Sequence, residues 1–196
     1  LWYLSMRDDD RARVGDNGWI AYLQGKDTEF PETALRRDLA AVARKTASFR
    51  GDQTPPERRL ADNMLNWNPA SIGALAQLME GALVPGRDGG LLFARLRHFD
   101  PERRRAGMPP DVAALVSELS DTRTVVTLVN TSTTTAHTVI VQGGAYGEHR
   151  FESVERAGKS EPLGARTFTV RLAPGSGAKL ALATRRYVET PTITFP

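Results

Sequence analysis

Apolar positions recur every three to four residues through the first three-fifths of the chain and every second residue through the last third, with the change of period near residue 121. The opening Leu1-Trp2-Tyr3-Leu4-Ser5-Met6 is apolar and aromatic. The charged run Arg7-Asp8-Asp9-Asp10-Arg11 that follows predicts the end of a buried helix passing into a solvated turn. Gly15-Asp16-Asn17-Gly18 is a turn cluster ahead of a second apolar run, Trp19 to Leu23. Pro31 suits a first helical turn, and Leu35, Leu39, Val42, Thr46 and Phe49 then predict an amphipathic helix closed by Gly51, its basic face (Arg36, Arg37, Arg44, Lys45) solvated. Asn68-Pro69 reads as an N-cap and first-turn proline before an apolar stripe of Ile72, Leu75, Leu78, Met79 and Leu83. Gly73 and Gly81 in that stripe imply close packing on a neighbour. Residues 85–90 form a loop, Phe93 to Phe99 alternate as a strand, with a short helix as the alternative, and Pro109-Pro110-Asp111 opens a short helix through Val112, Leu115, Val116 and Leu119.

From Thr124 the period is two. Six strands are predicted, at Val125–Val129, Ala136–Gln142, Glu148–Val154, Thr167–Leu172, Lys179–Thr184 and Thr192–Phe195, separated by Ser/Thr, Gly or Pro-Gly punctuation. The predicted fold class is α+β, a helical N-terminal segment followed by a C-terminal antiparallel β-sandwich of about six strands. The helical region covers residues 1–120 and the β-sandwich domain residues 121–196. Because the chain opens in mid-pattern, the helical region reads as the end of a larger helical domain.

Charge changes the picture little. Residues 1–120 carry 17 Lys and Arg against 17 Asp and Glu, so the formal +3 lies wholly in the strand-rich part, where 9 face 6. No basic stripe with interleaved aromatics points to nucleic acid. The absence of cysteine excludes disulfides and thiolate metal sites, and no apolar run approaches the roughly 20 residues of a membrane helix. A secreted or periplasmic setting is favoured over a cytoplasmic one.

Several motifs have plain structural readings. Gly143-Gly144-Ala145-Tyr146-Gly147 lies between two strands without the helix or Lys-Ser/Thr of a phosphate loop, and predicts a hairpin turn; Gly175-Ser176-Gly177 is also a turn. Asp8-Asp9-Asp10 lacks the glycine and the glutamate of a calcium loop, since Arg13 and Trp19 stand there. His98, His137 and His149 are scattered, without zinc-ligand spacing, and read as surface or packing histidines. No metal or cofactor is expected, and no nucleophile elbow is present.

Two patches carry chemistry. Asp62, Asn63, Trp67 and Asn68 set a carboxylate, carboxamides and an indole within a few residues, groups suited to a sugar's hydroxyls and C–H face. The competing structural reading has Asn68 as a helix cap, Trp67 in the interior and Asp62 in water. Tyr146 and His149, with Glu148 between them, end the glycine-rich loop and form a second substrate-binding candidate; the competing reading lays the tyrosine over the glycine turn.

The strand pair Val125-Val126-Thr127-Leu128-Val129-Asn130 and Thr138-Val139-Ile140-Val141-Gln142-Gly143-Gly144, with the terminal Leu172-Ala173-Pro174-Gly175-Ser176-Gly177-Ala178-Lys179-Leu180, resembles the C-terminal part of bacterial proteins in which an α-helical toroid precedes β-domains. That plan is shared by many polysaccharide lyases and glycoside hydrolases. The resemblance implies a structural or accessory region that buttresses a helical catalytic domain, without a complete active site of its own. The implied partners are a glycan and an upstream helical domain of the same protein, with no nucleic acid and no membrane. The alternative is a non-catalytic carbohydrate-binding or adhesion module, which would expose an aromatic platform. A third possibility, a complete small enzyme, would require a deep pocket near Asp62 or His98.

Overall fold

In the computed structural model, which describes residues 1–15, 17–59, 68–83 and 92–196, helices come first and strands follow. The helices are α1 (Trp2–Ser5), α2 (Asp8–Arg11), α3 (Gly18–Leu23), α4 (Phe30–Gly51) and α5 (Gly73–Glu80), with a 3-10 turn at Pro56–Arg59. Nine strands are found among the described residues: β1 (Leu96–Asp100), β2 (Arg105–Ala106), β3 (Val112–Leu119), β4 (Arg123–Asn130), β5 (His137–Gly143), β6 (Arg150–Arg156), β7 (Lys159–Ala165), β8 (Thr167–Leu172) and β9 (Gly177–Arg185). The fold is α+β with a helical start and a β-rich remainder.

Local chemistry explains the helices. Asn17 caps α3, its Oδ1 accepting from the amides of Trp19 at 3.0 Å and Ile20 at 3.4 Å. That cap aims the Trp19 indole into the core, where it stacks on Tyr22 at 5.7 Å and tilts against Phe30 at 6.1 Å. α5 begins at Gly73, not at the Asn68-Pro69 pair. Asn68 closes a local turn instead, accepting from the Ala70 amide at 2.9 Å, while Asp38 of α4 accepts from the Ala74 amide at 2.9 Å and so serves the first turn of α5 from outside. The apolar stripe of α4 is buried only near its start. Leu35 packs on the core, whereas Leu39 is 68% exposed and Phe49 62%.

The strands start at Leu96, well before Thr124. The segment expected as a short helix after Pro110 is β3, paired antiparallel with β4 from Val112↔Asn130 to Leu119↔Thr124. Its apolar residues fall at helix-like spacing because Val112 and Val116 lie on one face and Leu115 on the other, and a bulge between Val116 and Glu118 then shifts the phase before Leu119. Thr192–Phe195 is not a strand, and β7 stands where no strand was expected.

All pairings are antiparallel and form two sheets, β2-β1-β5-β8 and β3-β4-β9-β6-β7. Leu96, Val139, Val141, Val170 and Leu172 of the first sheet share one apolar core with Val116, Val126, Leu128, Phe151, Leu180 and Leu182 of the second. Trp19 of α3 and Leu78 of α5 belong to the same core. The positions that alternate with the inward residues of β3, Ala113 and Leu115, line a groove of about 360 Å³ with Leu75, Leu78 and Met79 of α5 and Leu35 of α4. Helices and sheets are therefore joined through β3.

Links β4–β5, β5–β6 and β8–β9 pass from one sheet to the other, as do β2–β3 and β7–β8. The glycine-rich segment 143–147 is thus a crossing between sheets rather than a hairpin. Asn130 secures the β4–β5 crossing from a fully buried position: its Nδ2 donates to the carbonyls of Thr135 at 2.8 Å, Ala173 at 3.1 Å and Leu172 at 3.4 Å, and its Oδ1 accepts from the Ser132 amide at 3.0 Å. One side chain ties the end of β4 to the end of β8. Asn130→Ala leaves those buried groups unpaired and should cost about 3 kcal/mol in urea unfolding. Asn130→Asp should cost at least as much, because a carboxylate cannot donate to three carbonyls. A loss under about 0.5 kcal/mol, within the range of surface substitutions, would contradict this role for the side chain.

Candidate functional site

The 143–149 crossing, the start of β1 and the last residues of the chain meet at one end of the sheets. Gly144 must be glycine there: its φ is +83°, and a Cβ would lie 2.3 Å from the Glu148 carboxyl carbon. Its amide donates to the Arg95 carbonyl at 2.8 Å, and the Arg95 amide donates to the Glu80 carbonyl at 3.0 Å. Glu148 folds back so that Oε2 accepts from the Tyr146 amide at 2.7 Å, and the Glu148 carbonyl accepts from the amides of Val188 and Glu189. The Tyr146 hydroxyl accepts from the Leu92 amide at 3.3 Å. Tyr146 and Glu148 are thereby committed to holding the loop.

Behind the loop lies a buried polar cluster. His149 Nδ1 accepts from the Tyr187 amide at 3.2 Å, and its ring meets the Tyr187 ring edge-on at 4.8 Å. Its Nε2 is 4.0 Å from Glu148 Oε1. Arg95 places one guanidinium nitrogen 2.7 Å from the Ser120 carbonyl and lies 5.7 Å from the Tyr3 ring centroid. Arg186 donates to the Leu4 carbonyl at 2.9 Å and pairs with Asp121, so the C-terminal end of α1 is held by a residue near the other end of the chain.

Burial sets the charge states. Desolvation pushes the His149 imidazole down to about 4, helped by the nearby Arg95 cation. Desolvation likewise pushes Arg95 down to about 10 and the Tyr3 hydroxyl above the usual phenol range. Glu80 is pushed up to about 7 by burial, with Arg97 pulling the other way. At neutral pH the cluster holds a neutral histidine beside a charged, buried arginine.

The two candidate patches fare differently. Asp62, Asn63 and Trp67 lie outside the described residues. Asn68 is exposed and bonds Ala70 and Lys45, whose ammonium donates to its carbonyl at 3.0 Å. Tyr146 and His149 are brought together, and the structure adds Arg95, Tyr3, Arg186 and Tyr187 around them. Only one of these had a signal in the sequence: Arg95 interrupts the apolar run from Leu91 to Leu96, where a cation needs a reason to be. The other histidines are buried rather than on the surface. His98 and His137 point between the sheets with both ring nitrogens unpartnered, and among the described residues no three His, Cys, Asp or Glu side chains are grouped to hold a metal.

Acid should act on the buried imidazoles of His98 and His149. His98, 1% exposed, is pushed down to about 4 by burial, as is His149. A folded value below the unfolded one, about 6.5, means that the unfolded chain binds the extra proton, so stability falls as pH drops from about 6.5 towards 4. Glu80 acts in the opposite direction: raised to about 7, it loses stability as pH rises from about 4.5 to 7. Because His98 bonds nothing, His98→Leu isolates one acid-side contribution. Between pH 7 and pH 5 this variant should lose about 2 kcal/mol less stability than the parent, measured by urea unfolding at each pH. Identical pH profiles for the two would contradict the neutral, buried state of His98. Comparison with protein families, with curated proteins and with solved structures found no match to this chain.

Proposed function

We propose that this chain is the structural, accessory region of a bacterial carbohydrate-active protein of glycoside hydrolase or polysaccharide lyase type, its β-sandwich buttressing a helical catalytic domain. The observation that carries the reading is the shared apolar core in which Trp19 and Leu78 of the helices join both sheets. A module built to bind on its own has no need for helices in its core, whereas a support does. The side chains of the crossing loop also favour support, since Tyr146 and Glu148 spend their polar atoms on backbone groups of the chain itself. The exposed apolar side chains Leu39 and Phe49 on α4 suit a helical domain of the same protein as partner.

A carbohydrate-binding or adhesion module is the rival reading, favoured by one observation: the Tyr187 ring stands 51% exposed beside the loop and could stack on a sugar. A glycan array separates the two. The support role expects no saturable binding by the 196-residue chain, and tight binding abolished by Tyr187→Ala or Tyr146→Ala would overturn it. The mechanical half of the proposal has its own test. Leu78→Ala should cost about 3 kcal/mol and lower the thermal midpoints of the helical and the sheet signals together. Two well-separated transitions, with only the helical one displaced, would contradict buttressing.

A further inference from the structure

We propose that the buried cluster around Arg95 is a binding site for a small carboxylate, entered when the Tyr187 ring moves aside. Arg95 is 2% exposed, and while its Nη2 is used on the Ser120 carbonyl, Nε and Nη1 have no acceptor among the described residues. The Tyr3 hydroxyl beside it is also buried and unpartnered. Of the acids nearby, Asp121 pairs with Arg186, Glu148 turns one oxygen to the Tyr146 amide, and the Glu80 carboxyl is pushed up to about 7 by burial. Among the described residues the cluster therefore presents two guanidinium nitrogens and a phenol hydroxyl that lack an acceptor.

A cation shut away from water without a counter-charge costs several kcal/mol, and replacing it with an apolar side chain of similar volume is often neutral or stabilising. Here the guanidinium remains charged at neutral pH. Its field is not weakened by solvent, and one carboxylate could accept from the guanidinium and from the phenol hydroxyl together. The neutral imidazole of His149 adds no charge that would compete for the anion.

Tyr187 is the element able to move. It is a non-glycine residue at φ +56°, in the left-handed region, and half of its surface faces solvent. Its amide donates to His149 Nδ1, its ring meets the His149 ring edge-on, and the Arg186 guanidinium lies 5.5 Å from its ring centroid. Displacing that ring uncovers the side of the cluster on which His149 lies. Tyr187→Gly takes away the ring and relieves the backbone conformation in one step.

The experiment titrates the full chain with sodium acetate at constant ionic strength, using sodium chloride as the balancing salt. It reads the thermal midpoint and the ¹⁵N–¹H resonance of Arg95 Nε. The expected result is a saturable rise of the midpoint with a matching movement of the Arg95 resonance, an affinity about threefold or more tighter in Tyr187→Gly, and no saturable response in Arg95→Met. Tyr3→Phe keeps the ring and loses one donor; it should weaken binding about threefold, and it serves if Arg95→Met does not fold. The assignment is overturned by an unmoved Arg95 resonance in both the parent and Tyr187→Gly, by equal midpoint responses in the parent and the donor-deleted variants, or by chloride saturating at the same concentration as acetate.

Discussion

Strand β3 is the constraint on which the rest of the structure depends, because it must satisfy apolar packing on both of its faces. Val112, Ala114 and Val116 look into the space between the sheets, where they meet residues of β4 and the opposing sheet. Ala113 and Leu115 look the other way, towards α5 and α4. A strand with one wet face would have left the helices without a surface to cover, and a lone helix the length of α5 is far too short to persist in water. The helices therefore owe their stability to the sheet, and Leu115 on the outer face of β3 owes its partial burial to the helices.

At the end of the sheets the same body solves an electrostatic problem. Segments from both ends of the chain and from the middle converge there, and they bring more donors than acceptors. Arg186 is neutralised by Asp121 and spends its remaining hydrogens on α1 carbonyls, so it is structural. Glu189 is held between Arg150 and Arg166, which fastens the C-terminal tail across the edge of the loop. Among the described residues Arg95 is the buried arginine with two nitrogens unserved. The contrast between these arginines, all within one small region, is what gives Arg95 its interest: the fold shows that it can pair a guanidinium there when pairing is all that is wanted.

The legibility of the fold in the sequence follows the strength of its periodic signal. Strands β4, β5, β8 and β9 alternate cleanly and lie where alternation puts them, and Trp19 and Leu78 were visible as members of apolar runs. β3 was hidden because its apolar residues occupy both faces, Val112 and Val116 on one and Leu115 on the other, which gives spacings of three and four, and its bulge shifts the phase again before Leu119. β7 carries Lys159, Ser160, Glu161 and Pro162, an edge-strand composition with no buried face to read. The crossing at 143–147 was recognisable as a turn, but a short turn does not reveal that its two strands belong to different sheets. Of the candidate site, Tyr146 and His149 stood close in sequence and stayed close in space. Tyr3, Arg95 and Tyr187 could not be grouped with them beforehand, since their proximity is made by strand pairing and by the return of the tail.

Native-state hydrogen exchange of the backbone amides tests the central claim, that α5 and β3 are one cooperative unit, most directly. The account predicts that the hydrogen-bonded amides of α5 and those of β3 paired with β4 exchange through the same global opening, with equal opening free energies and equal dependence on denaturant. α5 amides that open locally, at a free energy several kcal/mol below that of β3 and without denaturant dependence, would contradict it.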